Sequence, residues 1–453
     1  MRNRKGSSRK LLSAAAAVLL VLGANSAVSA APFSLPTPTL SAADASTTAA
    51  LTAEQRRLAY VKLVQQIQRQ TEQIYGKALG QPIHANILDD KGLSDLLKKL
   101  LAEELKKPEA QGSEQVMKFL QLLPADVPLE QIYQALMEGQ VGGLYNPSDK
   151  SLYVVGTYAP EGLIGQIILS HEIGHAIQDA SFNLTKYLED ETQLDRQKAK
   201  QCVTEGDATV LMIDWGSKYG TMASLFGSLT SLTQQMSAGL DTAPPAIVQD
   251  MVFSYLQGAK FCQAAQIRFG DKWRDQVFLY PPVSTEQVLH PAKYTGKVPD
   301  LPETVTLPKA PKGWTEIYRN TFGEWTTRLF LTPPAAFPKI TMFSLDPTVN
   351  EPIASAAAAG WDGDEVLMLT QPEKGEKLLV WKSVWDSEKD AKEFESAVQR
   401  RLKLFPEFSV GGKAHYELAL KRQGQKVGLV LATSRAARDV GVQLLSETAR
   451  GAK

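Results

Sequence analysis

The sequence has few cysteines, no excess of charge and no long apolar run, and each shortage excludes a class of protein. Two cysteines, Cys202 and Cys262, occur in 453 residues, which excludes a scaffold held by several disulfides; they could form one disulfide or stay buried thiols. Basic and acidic residues number 49 each, so the basic stripe of a nucleic-acid-binding protein is not expected. No apolar run reaches the roughly 20 residues of a membrane-spanning helix.

The first thirty residues have the pattern of a secretory signal peptide. Five basic residues precede an apolar stretch from Leu11 to Leu22, and small residues lead to Ala30, the expected cleavage point. The alternative, an uncleaved membrane anchor, would need a longer apolar stretch. Cleavage would leave 44 basic and 49 acidic residues. We therefore expect a mildly acidic, secreted or periplasmic protein with no membrane span and no nucleic-acid partner.

The rest of the chain divides, by pattern, into a linker and two domains. Residues 31–51 are rich in Pro, Ser, Thr and Ala, which predicts a disordered linker. Helical patterns predict a helical zinc peptidase domain over 52–300, then a Pro- and Lys-rich linker over 301–320 and a small C-terminal α+β domain over 321–453. The expected fold class is α+β, mainly helical. Strands are expected at 366–370, 378–384, 415–421 and 427–433, and helices at 322–331, 389–402 and 436–449.

A β-hairpin is predicted just before the candidate metal site. Two short runs within 141–155 flank an Asn-Pro-Ser-Asp turn. An edge strand at this place could hold an extended peptide by backbone hydrogen bonds. The alternative is a hairpin that only packs against its neighbours.

The segment His171-Glu172-Ile173-Gly174-His175 is the strongest functional signal in the sequence. It lies in an isoleucine-rich helical stretch, where residues four apart lie on one face. We therefore expect His171 and His175 to bind one Zn²⁺ ion, with Glu172 at the side as the general base for a metal-bound water. The alternative is a pair of helix histidines without a metal.

A catalytic zinc also needs a third protein ligand and an open position. A metzincin would have Gly and His where this chain has Gln178 and Ser181, so that arrangement is excluded. Glu205 opens an apolar helical stretch and is the expected third ligand. The alternatives are Asp207 and the acidic cluster at 189–191.

Four further residues are candidates for supporting roles. Asp207 and Asp179 could accept hydrogen bonds from the ligand histidines, or bond elsewhere in the core. His290 and Tyr294 are candidate donors to the oxyanion that forms during peptide hydrolysis. The alternative for His290 is a structural turn fixed by Pro291.

Two segments carry a resemblance to known proteins: His171-Glu172-x-x-His175-Ala176-x-Gln178-Asp179 and Glu205-Gly206-Asp207-Ala208-Thr209. They resemble the gluzincin type of zinc metallopeptidase, and the chain is more closely similar to a largely uncharacterised group of exported bacterial proteins. Further shared marks are Gly143-Leu144-Tyr145-x-Pro147, Tyr255-x-x-Gly258-x-x-Phe261, the run from Pro281 to Tyr294, and Gly360-Trp361-x-Gly363-Asp364. The resemblance implies a zincin-like metallopeptidase core with His171, His175 and Glu205 as ligands and Glu172 as base. Cys202, Cys262 and Ser254 depart from the pattern, and none is a metal residue.

These observations predict an exported zinc-dependent metallopeptidase that acts on a peptide or protein substrate. Two alternatives remain. One is an inactive, chaperone-like binding protein that keeps the zincin fold. The other is a zinc hydrolase of a non-peptide amide in the cell wall.

Overall fold

The computed structural model describes residues 53–137, 143–155, 162–189, 192–220, 243–337, 352–404 and 416–446. The expected signal peptide and the linker at 31–51 lie outside these residues. Within them the fold is α+β and mainly helical, as predicted, with one three-stranded and one five-stranded sheet. No described helix has the length and apolar content needed to cross a membrane.

Four helices open the first domain where apolar residues recur at helical spacing. They lie within 52–300, where the sequence predicts a helical domain. The first of the four buries Val64 and Ile67. The helices are α1 (Ala53–Tyr75), α2 (Asp90–Leu105), α3 (Pro108–Phe119) and α4 (Leu129–Met137).

The predicted hairpin is present and forms one edge of the three-stranded sheet. β2 (Gly143–Asn146) pairs antiparallel with β3 (Ser151–Val155). β1 (His84–Leu88), which the sequence pattern does not predict, pairs in parallel with the other side of β3. The order is therefore β1-β3-β2. The edge strand β2 contacts α5 (Leu163–Phe182), the helix that carries the candidate metal motif.

The two long helices α7 (Leu194–Tyr219) and α8 (Pro245–Phe269) lie side by side and touch through glycines. A Cβ on Gly206 would lie 2.2 Å from the carbonyl carbon of Gly258, so only glycine permits this approach. The two cysteines, one on each helix, are buried free thiols, and the disulfide alternative is wrong. The shorter helices of this domain are α6 (Leu184–Glu189), α9 (Trp273–Leu279), α10 (Thr285–Leu289) and α11 (Pro291–Thr295).

The second domain is a five-stranded antiparallel sheet with helices packed on it. Its strand order is β4-β5-β6-β8-β7. The sequence pattern misses α13 (Pro352–Ala358), and it places residues 315–320 in a linker although they form the edge strand β4 (Thr315–Asn320). The elements that follow the prediction are α12 (Gly323–Leu331), β5 (Trp361–Gln371), β6 (Glu376–Trp385), α14 (Glu388–Leu402), β7 (Glu417–Gln423), β8 (Lys426–Ala432) and α15 (Arg435–Ser446).

The two domains share a continuous apolar core. α3 lies so close to β4 that a Cβ on Gly112 would be 2.2 Å from the carbonyl oxygen of Ile317. Phe253 of α8 stacks on Trp325 of α12 with ring centroids 4.0 Å apart. The last residues of the expected linker therefore pack against both domains. Their apolar side chains, Ile317 and Tyr318, belong to the core that the two domains share.

Candidate metal centre

The helix α5 brings both motif histidines into the core on one face. His171 is fully buried and His175 is 9% exposed. Their Nε2 atoms are 3.1 Å apart, and the rings meet edge to face with an interplanar angle of 88°. This is the one-turn spacing predicted from the sequence. Two buried imidazoles in contact leave ring nitrogens that need a cation or a proton between them.

Glu205 of α7 completes a group of three. Its Oε2 atom lies 3.3 Å from Nε2 of His171 and 3.4 Å from Nε2 of His175. The carboxylate is 1% exposed. The structure thus brings together the three residues predicted as ligands. Asp207, one alternative for the third ligand, bonds to Gln178 and Arg274. The other alternative, the acidic cluster at 189–191, falls outside the described side chains.

The three ligand atoms fit a zinc ion. They form a triangle with sides of 3.1, 3.3 and 3.4 Å. A tetrahedral Zn²⁺ site with metal–ligand distances of 2.0–2.1 Å has edges of about 3.3 Å between ligand atoms. Two imidazoles and one carboxylate are also a ligand set that catalytic zinc uses. The residues present therefore suit one Zn²⁺ ion, and three protein ligands would leave the fourth coordination position of a tetrahedral site open.

Glu172 lies beside the triangle, and only one of its two carboxyl oxygens has a hydrogen-bond partner among the described residues. Its Oε2 accepts the backbone N–H of Tyr145 on β2 at 2.7 Å. Its Oε1 is buried and has no hydrogen-bond partner in the described part of the chain. Burial raises the pKa of Glu172 to about 7, against the opposing effect of His175. A buried carboxyl with one unused oxygen and a pKa near neutrality can exchange a proton with a bound molecule.

Charges within the group of three are balanced. Burial alone would lower the pKa of His175, but Glu205 and Glu172 outweigh it and raise that pKa to about 9. Burial alone would raise the pKa of Glu205, but His175 and His171 outweigh it and lower that pKa to about 2. Burial lowers the pKa of His171. A carboxylate therefore faces one protonated and one neutral imidazole, and a divalent cation would replace that proton.

Gln178 orients His175, a role that was not predicted from the sequence. His175 Nδ1 lies 2.9 Å from Gln178 Oε1. The Gln178 amide nitrogen donates to the carbonyl of Thr204 and to Asp207 Oδ2, both at 3.0 Å. Asp207 was expected to accept a hydrogen bond from a ligand histidine directly. It accepts one from Gln178, which in turn contacts His175. The signal was available, because Gln178 follows His175 by three residues on one helix face.

The other oxygen of Asp207 is held from outside the helix pair. Arg274 donates to Asp207 Oδ1 at 2.7 Å, and its guanidinium lies 4.2 Å from the ring centroid of Tyr75. The Tyr75 hydroxyl donates to Asp207 Oδ2 at 3.2 Å. A chain of contacts thus runs from the partly buried Arg274 through Asp207 and Gln178 to His175.

Asp179 does not contact a ligand histidine. It accepts the Tyr145 hydroxyl at 2.9 Å, the backbone N–H of Leu184 at 2.9 Å, and the ammonium of Lys150. The contacts with Tyr145 and Lys150 fix the β2–β3 hairpin on α5. These are contacts elsewhere in the core, the alternative considered for Asp179 from the sequence. The same hairpin supplies the N–H that orients Glu172.

Tyr255 of α8 forms the wall behind His171. Its ring stacks on the imidazole with centroids 5.8 Å apart and planes 24° from parallel. The tyrosine is 1% exposed. The sequence indicates Tyr255 only through the resemblance. A single aromatic residue on a buried helix does not show which side chains it will contact.

His290 and Tyr294 were expected as oxyanion donors, and the structure gives both of them other partners. His290 Nε2 lies 3.1 Å from Glu324 Oε1, on α12 of the second domain. The Tyr294 hydroxyl donates to the carbonyl of Tyr280 at 2.6 Å. The segment that carries them joins the domains, because Lys293 also pairs with Asp386 at 2.8 Å. Both residues therefore have partners within the protein, and neither lies at the candidate metal centre.

Comparison with known proteins gives a family match for the second domain alone. Residues 313–441 match the domain of unknown function DUF8575, and this match begins just before β4. No curated protein matches the chain. A solved structure from Chloroflexus aurantiacus, described as "a putative hydrolase with a novel fold", is 17% identical with a TM-score of 0.35, covering 53% of this chain and 89% of that one.

Proposed function

We propose that the protein is an exported zinc-dependent peptidase with a zincin-like core in its first domain. The proposal rests on the buried group of His171, His175 and Glu205, which lies beside the unpaired Oε1 of Glu172. His171, His175 and Glu205 would hold one Zn²⁺ ion. Zinc in such a site acts as a Lewis acid towards a carbonyl group and lowers the pKa of a bound water towards neutrality.

Glu172 would move the proton in this reaction. Its unpaired Oε1 would take a proton from the attacking water and then give it to the nitrogen of the leaving amine. The N–H of Tyr145 holds the other oxygen at 2.7 Å, so the carboxyl cannot rotate away. A buried carboxyl group with one unpaired oxygen can serve as base and then as acid in this reaction.

The edge strand β2 would hold the substrate. Tyr145 directs its N–H to Glu172 and away from β3. Residues two apart direct their backbone groups to the same side of a strand, so the backbone groups of Gly143 and the carbonyl of Tyr145 would be left for pairing at this edge, while Glu172 already holds the Tyr145 N–H. An extended peptide that pairs with this edge would pass beside Glu172. This arrangement favours a peptide over a non-peptide amide.

Zinc analysis and a Glu172→Gln variant test the proposal. The full chain without its signal peptide should contain one zinc per molecule and cleave casein, and a chelator should stop the cleavage. Glu172→Gln should retain zinc and thermal stability but lose activity by about 100-fold or more, because proton transfer contributes that much. Glu130→Gln, at an exposed site on α4, is the matched control.

The alternatives give different results. Zinc-loaded protein that shows no chelator-sensitive cleavage, with wild type equal to Glu172→Gln, would support an inactive binding protein. Cleavage of peptidoglycan fragments but not of casein would support a cell-wall amidase. Sequencing of the exported protein from its N-terminus should begin at Ala31, and retention of the first thirty residues would refute export by signal cleavage.

A further inference from the structure

A cavity of about 280 Å³ lies between the two domains and outside the candidate metal centre. Helices α3, α4, α7 and α8 line it from the first domain, and β4 and α12 line it from the second. Most of the wall is apolar, which favours an apolar occupant. The side chains that contribute include Val116, Met117, Leu129, Ile247, Met251 and Leu329.

Several elements contribute polar groups to the cavity, and two of these groups lie on one face of α7. Gln197 and Gln201 are one turn apart there. Within the described chain neither side-chain amide makes a hydrogen bond. Lys198 pairs with Asp250 at 2.8 Å, and Asp250 also accepts the indole N–H of Trp325 at 2.9 Å. Among its polar groups the cavity therefore offers two neutral side-chain amides without a partner in the described chain and one charge pair that is already balanced.

We propose that this cavity binds one bulky apolar residue of a peptide, whose peptide groups pair with Gln197 and Gln201. At the packing density of a protein interior the cavity holds about 14 non-hydrogen atoms, close to the size of N-acetyl-phenylalanine amide. Each glutamine amide offers donors and an acceptor, as does a peptide group. A free carboxylate fits less well, because Asp250 faces it and already neutralises Lys198.

The peptide could come from two sources. Gln201 precedes Glu205 by one turn on the same face of α7, a distance of about 6 Å along the helix. An apolar residue about two positions from the cleaved bond of a substrate could therefore reach the cavity; this source rests on the proposed function. The second source is a separate peptide effector. Thr204, which lines the cavity, holds the Gln178 amide that orients His175.

Calorimetric titration of the full chain with N-acetyl-phenylalanine amide tests the binding site without any need for cleavage. Saturable binding is expected, together with weaker binding of N-acetyl-glycine amide, which lacks the apolar group. Gln201→Leu should weaken binding about fivefold to tenfold, the effect of one hydrogen bond. Gln263→Leu, an exposed glutamine on α8, is the matched control and should bind as wild type.

A second variant, Thr326→Trp, fills the cavity from α12 and should abolish binding while thermal unfolding verifies that the chain is folded. The absence of saturable binding would overturn the proposal, as would binding that neither variant changes. Cleavage of peptides with phenylalanine moved one position at a time separates the sources. A fixed preference that Gln201→Leu removes indicates a substrate, and binding without such a preference indicates an effector. Loss of the proposed peptidase activity would leave the titration interpretable.

Discussion

Gly206→Ala tests whether the close contact of α7 and α8 positions the metal ligand next to it in sequence. A Cβ at this position would lie 2.2 Å and 2.3 Å from the carbonyl carbon and oxygen of Gly258, and 2.8 Å from the nitrogen of Ala259. These are backbone atoms of a helix, so they cannot rotate aside. Ordinary contact begins near 3.4 Å. The helices would have to separate by about 1.2 Å, the difference between that distance and the shortest contact.

The expected loss of stability follows from this separation. Overpacking of this kind costs about 1–3 kcal/mol or more, and the higher helix propensity of alanine offsets about 1 kcal/mol. A net destabilisation of about 2 kcal/mol would lower Tm by about 4–8 °C in a domain of this size. Glu205 is the neighbouring residue, and zinc tolerates ligand errors of only about 0.2 Å. We therefore expect zinc affinity to fall about 10- to 100-fold.

Gly174→Ala is the matched control, because it makes the same change inside the metal helix. Its Cβ would meet the end of the Leu211 side chain at 2.8 Å, and the nearest backbone atom, in Ala208, at 3.7 Å. A leucine end can move, so Tm should stay within about 3 °C of wild type. Circular dichroism gives Tm, and competition with a chromogenic chelator gives zinc affinity. If Gly206→Ala matches wild type in both, the packing argument is wrong.

Three further predictions concern one residue beside the centre and two residues where the domains meet. Gln178→Leu should lower zinc affinity about 10- to 100-fold by chelator competition, because His175 loses the group that orients it; unchanged affinity would refute that role. His290→Ala should lower Tm but leave kcat/KM of the folded enzyme unchanged, since its partner is Glu324; a 100-fold loss would restore it as an oxyanion donor. Burial raises the pKa of Asp195 to about 8. The folded chain then holds a proton that the unfolded chain releases near pH 4, so stability falls as pH rises from about 4 to 8. Asp195→Asn should flatten the dependence of Tm on pH over this range.

The part of the site that could be predicted is the part set by local helix geometry. Two histidines four residues apart must lie on one face of α5, and a carboxylate in an apolar helix must find a partner. Those two rules bring His171, His175 and Glu205 together. The contact between Gln178 and His175 could have been predicted by the same argument, since the two residues are three apart on one helix. An amide side chain in a helix usually lies on the surface, so no buried role was predicted for Gln178.

The part that could not be predicted depends on contacts distant in sequence. The run around His290 is polar and looks functional, yet its side chains bond to each other and to the second domain. Ser284 caps α10, Glu286 pairs with Lys293 at 2.6 Å, and Lys293 pairs with Asp386. A sequence shows that such residues need partners but not whether the partners are a substrate or the protein itself. β4 was missed for a similar reason, because its partner strand lies across α12 and α13 in sequence.

The second domain matters to the metal centre although it supplies none of its described residues. Asp195, at the start of α7, accepts the hydroxyl and the N–H of Thr285, and its carboxyl group occupies the place that a side chain on Gly323 of α12 would take. This carboxyl group is therefore enclosed between the run around His290 and the second domain. Ten residues along the same helix is Glu205, with the glycine contact to α8 beside it. A ligand on a helix fixed at both places has little freedom to shift, which is what a preformed zinc triangle requires.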